Sequence, residues 1–452
     1  MLETYFKLRE HGTTVGTEVL AGLTTFMVMA YIIFVNPAIL SFAGVPPLQG
    51  LGPAFPPTLA ATCLVAAVMT IAMGLATNYP LAIASGMGLN AVVAFQLIAG
   101  LKLPWQAAMG VVLLEGLVIT VLVLTGFREA VMNAIPLSQK RAISVGIGLF
   151  ILFIGLFNGG IVKAGTGIPV TLGALRSPKV AVAVAGLFLT ILLLALSVRG
   201  ALLIGIAATT VLAIVVNAWG GWKVWTLPGV AVIPSAVVAL PDFSSVGAGL
   251  NFEVFARVGV LTALLTIFSI MLSDFFDTMG TVVGIGGEAG WLDRNGRMPR
   301  LNRVLLVDSL GAVAGGFAGA SSATTYIESA AGVAAGGRTG LTAVVVGLCF
   351  GLALFFAPLA GVVPPEATAA ALVLVGYLMC TLVREIPFGD LEEGLPALLT
   401  LTVMPFSYSI TNGIGAGFVS YAFIKVVRGK GGEVHPMMYA AAAAFVLYFV
   451  LH

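Results

Sequence analysis

Six acidic residues stand where a chain this apolar should carry almost none. Glu18, Glu115, Asp274, Asp277, Asp308 and Glu328 fall inside or at the edge of long apolar runs. A carboxylate at the centre of a bilayer costs about 2.5 to 3.5 kcal/mol to insert, so each needs a reason. Glu18 and Asp308 lie near run ends and read most simply as interfacial or helix-capping carboxylates. Glu115, in Leu113-Leu114-Glu115-Gly116, has no polar neighbour in sequence, and a packing hydrogen bond and a role in coupling explain it equally well. Asp274 and Asp277 belong to Ser273-Asp274-Phe275-Phe276-Asp277-Thr278-Met279-Gly280-Thr281. A spacing of three puts both on one side of a helix, where two carboxyls do not both ionise cheaply, which predicts a proton on one of them at neutral pH. A plain hydrogen-bonded pair between helices is the competing explanation. Glu328 closes Ser321-Ser322-Ala323-Thr324-Thr325-Tyr326-Ile327-Glu328, where hydroxyls replace the expected leucines.

The elements that must position these groups follow from composition. Of 452 residues, 59% are apolar and 9% charged, with a mean hydropathy of +1.09. A soluble domain carries roughly a quarter of its residues charged, so the chain reads as an all-α polytopic membrane protein. Apolar runs fall at 19–42, 58–76, 81–99, 105–126, 141–158, 179–198 and 200–218, and again at 255–286, 302–319, 321–336, 339–360, 366–383, 393–408 and 411–427. That is fourteen candidate spans, seven plus seven. The last run, 437–451, is short for a span, and either a further crossing or an interfacial helix accounts for it.

The basic residues test this count, because cytoplasmic connections collect Lys and Arg. With the N-terminus and every connection after an even-numbered span on one side, that side holds fifteen of the 21 Lys and Arg, from Lys7 and Arg9 through Arg294 and Arg303 to Lys430. The other side holds Lys102, Lys163, Arg176, Lys179 and Lys223, with Arg257 undecided. The expectation is a multi-pass inner (plasma) membrane protein with a cytoplasmic N-terminus.

The third and tenth runs are short and interrupted. Asn78-Tyr79-Pro80 leads into Ser85-Gly86-Met87-Gly88-Leu89-Asn90, and the tenth run carries the Ser and Thr cluster above. Irregular backbone at membrane depth survives only where protein buries it or it lines a cavity, and paired interruptions in two halves point to a transporter's binding site. The step from Asn36 to Asn90 is the same as that from Asp274 to Glu328. An odd number of spans per half inverts the second half relative to the first.

Other classes are disfavoured. Cys63, Cys349 and Cys380 sit in apolar runs without metal-type spacing, the net charge of +2 suggests no nucleic acid partner, and no Gly-rich phosphate loop ending in Lys-Ser or Lys-Thr appears. The polar N-terminus gives no signal-peptide pattern. A membrane-embedded hydrolase would want histidines or an activated nucleophile, yet His11, His435 and His452 all lie near the chain ends. No enzyme activity, metal or cofactor is expected.

Ala21-Gly22-Leu23-Thr24-Thr25-Phe26, Ala30-Tyr31-Ile32-Ile33-Phe34-Val35-Asn36-Pro37, Gly86-Met87-Gly88-Leu89-Asn90-Ala91, Phe276-Asp277-Thr278-Met279-Gly280-Thr281 and Thr325-Tyr326-Ile327-Glu328-Ser329 resemble the adenine/guanine/hypoxanthine (azaguanine-type) permease branch of the nucleobase:cation symporters. The likeness runs from about Gly16 to the C-terminus. It implies a fourteen-span inverted repeat, with segments 3 and 10 each a short strand plus a half helix. Core domain parts would be 1–126 and 255–361, and gate domain parts 127–254 and 362–452, with elevator-type movement and a homodimer through the gate. It also implies proton-coupled uptake of purine bases, the proton serving as coupling ion.

Carried over residue by residue, the resemblance places the eighth-span acid on Asp274, its partner on Asp277, the tenth-span acid on Glu328 and the third-span amide on Asn90. Tyr326 becomes the aromatic lying against the base, and Thr325, Phe276, Thr25 and Phe26 complete the substrate-binding candidates. Asp274, Asp277 and Glu328 are the proton-coupling candidates. A purine offers N–H donors beside ring acceptors, which carboxylates, an amide and an aromatic face suit. The uracil and xanthine branches differ around these acids. An anion carrier of the same fold is a rival reading that would want a cation at the breaks, and a sodium site using Thr324, Thr325 and Ser329 is the rival to proton coupling.

Overall fold

The computed structural model describes residues 2–43, 45–126, 134–165, 169–226, 229–234, 236–291 and 298–451; Arg128, Arg294 and Arg297 of the charge argument lie outside the described residues. The first half runs α1 (Val15–Met29), α2 (Ile32–Leu40), α3 (Phe55–Thr77), β1 (Ile83–Ser85), α4 (Met87–Ala91), α5 (Trp105–Leu124), α6 (Leu137–Asn158), a short hairpin of β2 (Val162–Ala164) and β3 (Val170–Leu172), α7 (Pro178–Ala195) and α8 (Ala201–Trp219). The second runs α9 (Val260–Glu288), α10 (Leu301–Ala318), β4 (Ala323–Thr325), α11 (Ser329–Ala334), α12 (Gly340–Ala353), α13 (Pro365–Cys380), α14 (Leu391–Ser407), α15 (Ile410–Val427) and α16 (Pro436–Leu451).

Among the described residues, eleven helices are long and apolar enough to cross a membrane, against fourteen expected spans. Three of the expected runs are not among them. The third run divides into β1, α4 and a π-helical stretch, Val92–Gly100, and the tenth into β4 and the six-residue α11. The thirteenth, α14, reaches only 17 residues, with Pro396 and Pro405 inside it.

β1 and β4 pair antiparallel, Ile83 with Thr325, Ala84 with Thr324 and Ser85 with Ala323, and all six residues are buried. Buried backbone groups must find partners, and here the two interrupted runs supply each other's. The Gly86 amide donates to the Ser322 carbonyl at 2.8 Å and the Tyr326 amide to the Ala82 carbonyl at 2.9 Å, lengthening the ladder. On the open side of β1, the Thr70 hydroxyl accepts from the Ile83 amide at 2.9 Å and donates to the Ile83 carbonyl at 2.8 Å.

Small residues let the surrounding helices approach closely, as membrane helices do. A Cβ on Gly74 of α3 would lie 2.4 Å from the Gly340 carbonyl of α12. One on Gly316 of α10 would lie 2.5 Å from the Leu113 amide of α5. The helix of the second apolar run in each half thus packs on that of the fourth run in the other. Away from the ladder, α6 packs against α13 and α14, and α7 and α8 against each other and α13.

The connections sort cleanly by end. Tyr79 donates to the Pro299 carbonyl at 2.9 Å, Arg300 to the Thr77 carbonyl at 3.2 Å and Asn78 to the Phe6 carbonyl at 3.0 Å. Glu18 accepts from the Arg338 amide at 2.9 Å. At the other end, Ser245 donates to the carbonyls of Pro57 and Ala318, and Trp225 to Glu366. These are the two sets of connections that the Lys and Arg pattern separates.

Candidate substrate site

A cavity of about 820 Å³ opens between the helices around the ladder and the α6/α13 group. Asp277 and Thr281 on α9 and Ile327, Glu328 and Ala331 around the start of α11 form one wall; Ser144 of α6 and Val375 and Leu378 of α13 form the other. Arg199, from the α7–α8 connection, joins the wall without forming an ion pair to either carboxyl among the described residues. A second cavity, about 660 Å³, lies between Phe55, Ile233 and Pro358, and among the described residues no titratable side chain lines it. The chemistry therefore belongs to the first.

Glu328 is placed by the end of β4 and held by Tyr31, whose hydroxyl donates to Oε1 at 2.6 Å. Behind both stands Asp308 of α10. Its Oδ1 accepts from the Thr325 amide at 2.8 Å and the Thr325 hydroxyl at 2.7 Å, and its Oδ2 from the Thr278 hydroxyl at 2.6 Å. The Thr278 and Thr324 hydroxyls meet at 2.6 Å. One carboxylate thus ties α9, α10 and β4 together beside the residues that carry Asp277 and Glu328. From the sequence Asp308 reads as a helix cap; the signal that would have found this role is tertiary.

The other candidates lie deeper. The Tyr326 hydroxyl donates to the Ser85 carbonyl, and Thr325 is turned to Asp308. Asn90 is buried with Nδ2 4.0 Å from the Met87 sulfur and Oδ1 unmatched. The Thr25 hydroxyl is buried and unmatched against Gly332, and Phe26 packs edge-on to Phe350 at 5.2 Å. Phe276 lies on α9, and its side chain is outside the described residues. Asp274 is absent from the cavity wall and faces Glu115 of α5 instead. The structure therefore joins Asp277 and Glu328 in one cavity and separates Asp274 from them. Tyr31, Asp308 and Arg199 are the neighbours that sequence reasoning missed. Among the described residues no three His, Cys, Asp or Glu side chains converge as metal ligands.

Residues 16–416 match the profile of the Permease family, Xan_ur_permease. The chain belongs to that family. It is 41% identical over 452 residues to the adenine permease AdeP of Escherichia coli, covering 100% of this chain and 96% of the relative. The guanine/hypoxanthine permease PbuG of Bacillus subtilis is 39% identical over 450 residues, 99% of each chain. The names of these two relatives are those of the permease branch that the motifs quoted above resemble. Its fold is that of the transmembrane domain of the cyanobacterial bicarbonate transporter BicA, with a TM-score of 0.63 at 14% identity over 89% of this chain and 96% of that one.

Proposed function

We propose that this permease is a symporter that brings purine nucleobases, such as guanine, hypoxanthine or adenine, into the cell with protons. The observation that carries the reading is the convergence of Asp277 and Glu328 on one cavity of about 820 Å³, a volume in the range of small-molecule sites. Two carboxyls accept the N–H edge of a flat base, and the apolar wall from α13 covers the rest. Tyr326, directly behind Glu328, gives its ring face to the base once the cavity closes. Asp274, Asp277 and Glu328 carry the proton, and Asn90 joins the site as its amide.

The fourteen-span inverted repeat belongs to this reading. It is supported by the antiparallel β1–β4 pair and the reciprocal α3–α12 and α10–α5 crossings. In it, the core (1–126 and 255–361) moves as an elevator against the gate (127–254 and 362–452), through which a homodimer forms, and the N-terminus is cytoplasmic. An anion carrier is the second reading, favoured by Arg199 in the cavity wall and opposed by the two carboxyls there.

The test is guanine binding to the purified protein. Glu328→Gln and Asp277→Asn should each lose about 1 to 3 kcal/mol, the cost of stripping a buried partner. Wild-type affinity in both overturns the site. Displacement of guanine by bicarbonate or sulfate would favour the anion carrier.

A further inference from the structure

The Glu115 and Asp274 carboxyls face one another in the interior, away from the cavity. Glu115 is 0% exposed and Asp274 1%. None of their four oxygens receives a hydrogen bond from an N–H or O–H of another residue. The Ser322 hydroxyl, also fully buried, lies near Glu115 and has no hydrogen-bond partner among the described residues. The charged or titratable groups near the pair are Asp277 on α9 itself and Asp308 on α10, both acidic, and Asp308 is engaged with Thr325 and Thr278. Among the described residues no cation is paired with Glu115 or Asp274. Two ionised carboxylates in contact there would leave every oxygen unmatched and both charges desolvated. A proton between them makes an O–H···O⁻ bond, among the strongest hydrogen bonds available.

We propose that Glu115 and Asp274 form a shared-proton pair that stores the coupling proton, apart from the cavity in which Asp277 and Glu328 meet the base. This rests on the proton-symport reading above. With one proton the pair carries a single negative charge; a second makes it neutral. The second proton forms an O–H bond on the remaining carboxylate and leaves the Asp277 carboxylic acid, three residues along α9. Asp277 regains a proton from a hydronium ion reaching the cavity from the proton-rich side, which leaves as water. No other reactant enters. Glu115 is thereby a coupling residue that touches no substrate.

The experiment uses the full chain in proteoliposomes and reads two quantities: guanine accumulation driven by an inward proton gradient, and guanine exchange without a gradient. Wild type should show both. Glu115→Gln should keep exchange and lose accumulation, and Glu115→Asp, which keeps a carboxyl, should regain part of it. A merely structural role would lower both together, without rescue. Accumulation by Glu115→Gln with wild-type dependence on the gradient overturns the proposal. So does joint loss of both quantities with no rescue by Glu115→Asp. Infrared spectroscopy of the purified wild type should show a protonated-carboxyl carbonyl band that Asp274→Asn and Glu115→Gln each shift, because either leaves a lone buried acid in place of the pair; absence of the band in wild type, or a band that neither substitution moves, also overturns the proposal. A wild type that exchanges guanine but ignores the gradient overturns the symport reading and this proposal with it. A wild type that takes no purine overturns only the substrate reading, and the infrared band then decides the pair.

Discussion

Tyr31 and Tyr326 use their hydroxyls differently: the first donates to Glu328, the second to the Ser85 carbonyl. Tyr326→Phe should therefore keep most guanine affinity, and lose about 0.5 to 1.5 kcal/mol of stability with its hydrogen bond. Tyr326→Ala should lose about 1 to 3 kcal/mol of affinity, the range for bases stacked on aromatic rings. Binding calorimetry and detergent melting on both variants separate the two, and equal affinity losses would assign the contact to the hydroxyl. Much at this scale was legible in the sequence. A carboxyl within apolar surroundings announces itself, and Asp277 and Glu328 do share the cavity. A spacing of three leaves open that Asp277 lines the cavity while Asp274 turns to Glu115. At 3.6 residues per turn, positions three apart differ by about 60° around the axis, enough for Asp277 to face the cavity while Asp274 faces α5. Tyr31, Asp308 and Arg199 reach the site through contacts between distant segments, which no local pattern encodes.

Among the elements, α12 depends on two features of its N-terminus. Its first residue, Gly340, would place a Cβ 1.9 Å from the Gly74 carbonyl, and neither backbone can yield easily. Gly340→Ala should cost about 1 to 3 kcal/mol in detergent melting, whereas Gly361→Ala, where a Cβ meets nothing within 4 Å, should melt like wild type. Glu18 of α1 accepts from the amides of Arg338, Thr339 and Thr342 and from the Thr342 hydroxyl at 2.6 Å. Glu18→Gln removes the negative charge from that helix end and should cost about 1 to 2 kcal/mol in the same assay. At the start of α14, Glu392 accepts from Lys430 at 2.7 Å, Lys425 at 2.9 Å and Arg428 at 3.0 Å, which together push its carboxyl down to about 2. A depressed carboxyl stabilises the fold above its unfolded value of about 4.3 and loses that contribution as pH falls toward about 2. The melting difference between wild type and Glu392→Gln should thus hold from pH 7 to about pH 5 and shrink below about pH 4. The broken runs were legible because Gly, Pro and Ser cannot continue a helix cheaply. The strand pairing was not, since either run alone specifies only an interruption.

For the whole molecule, the hydrogen bonds that gather 77–79, 299–300 and 338–340 with the N-terminal segment fix which connections share an end. Charge asymmetry made that partition readable before any contact was known, because each basic connection votes independently. A cysteine at Arg303, in a background lacking Cys63, Cys349 and Cys380, should react with an impermeant maleimide only in inside-out vesicles, and one at the exposed Leu240 only in intact cells. Labelling of Arg303→Cys in intact cells would reverse the orientation. The β1–β4 ladder has a consequence for biosynthesis. Ser85 and Tyr326, whose segments meet in it, lie 241 residues apart. At about 5 to 20 residues per second, β1 emerges roughly 10 to 50 s before its partner exists. Each unpaired backbone group exposed to lipid meanwhile costs several kcal/mol. The nascent first half must keep Ile83–Ser85 out of the hydrocarbon, or lend it to a temporary partner, until Ala323–Thr325 has been translated. A ribosome stalled before that point leaves a chain with most of its helices and no binding site.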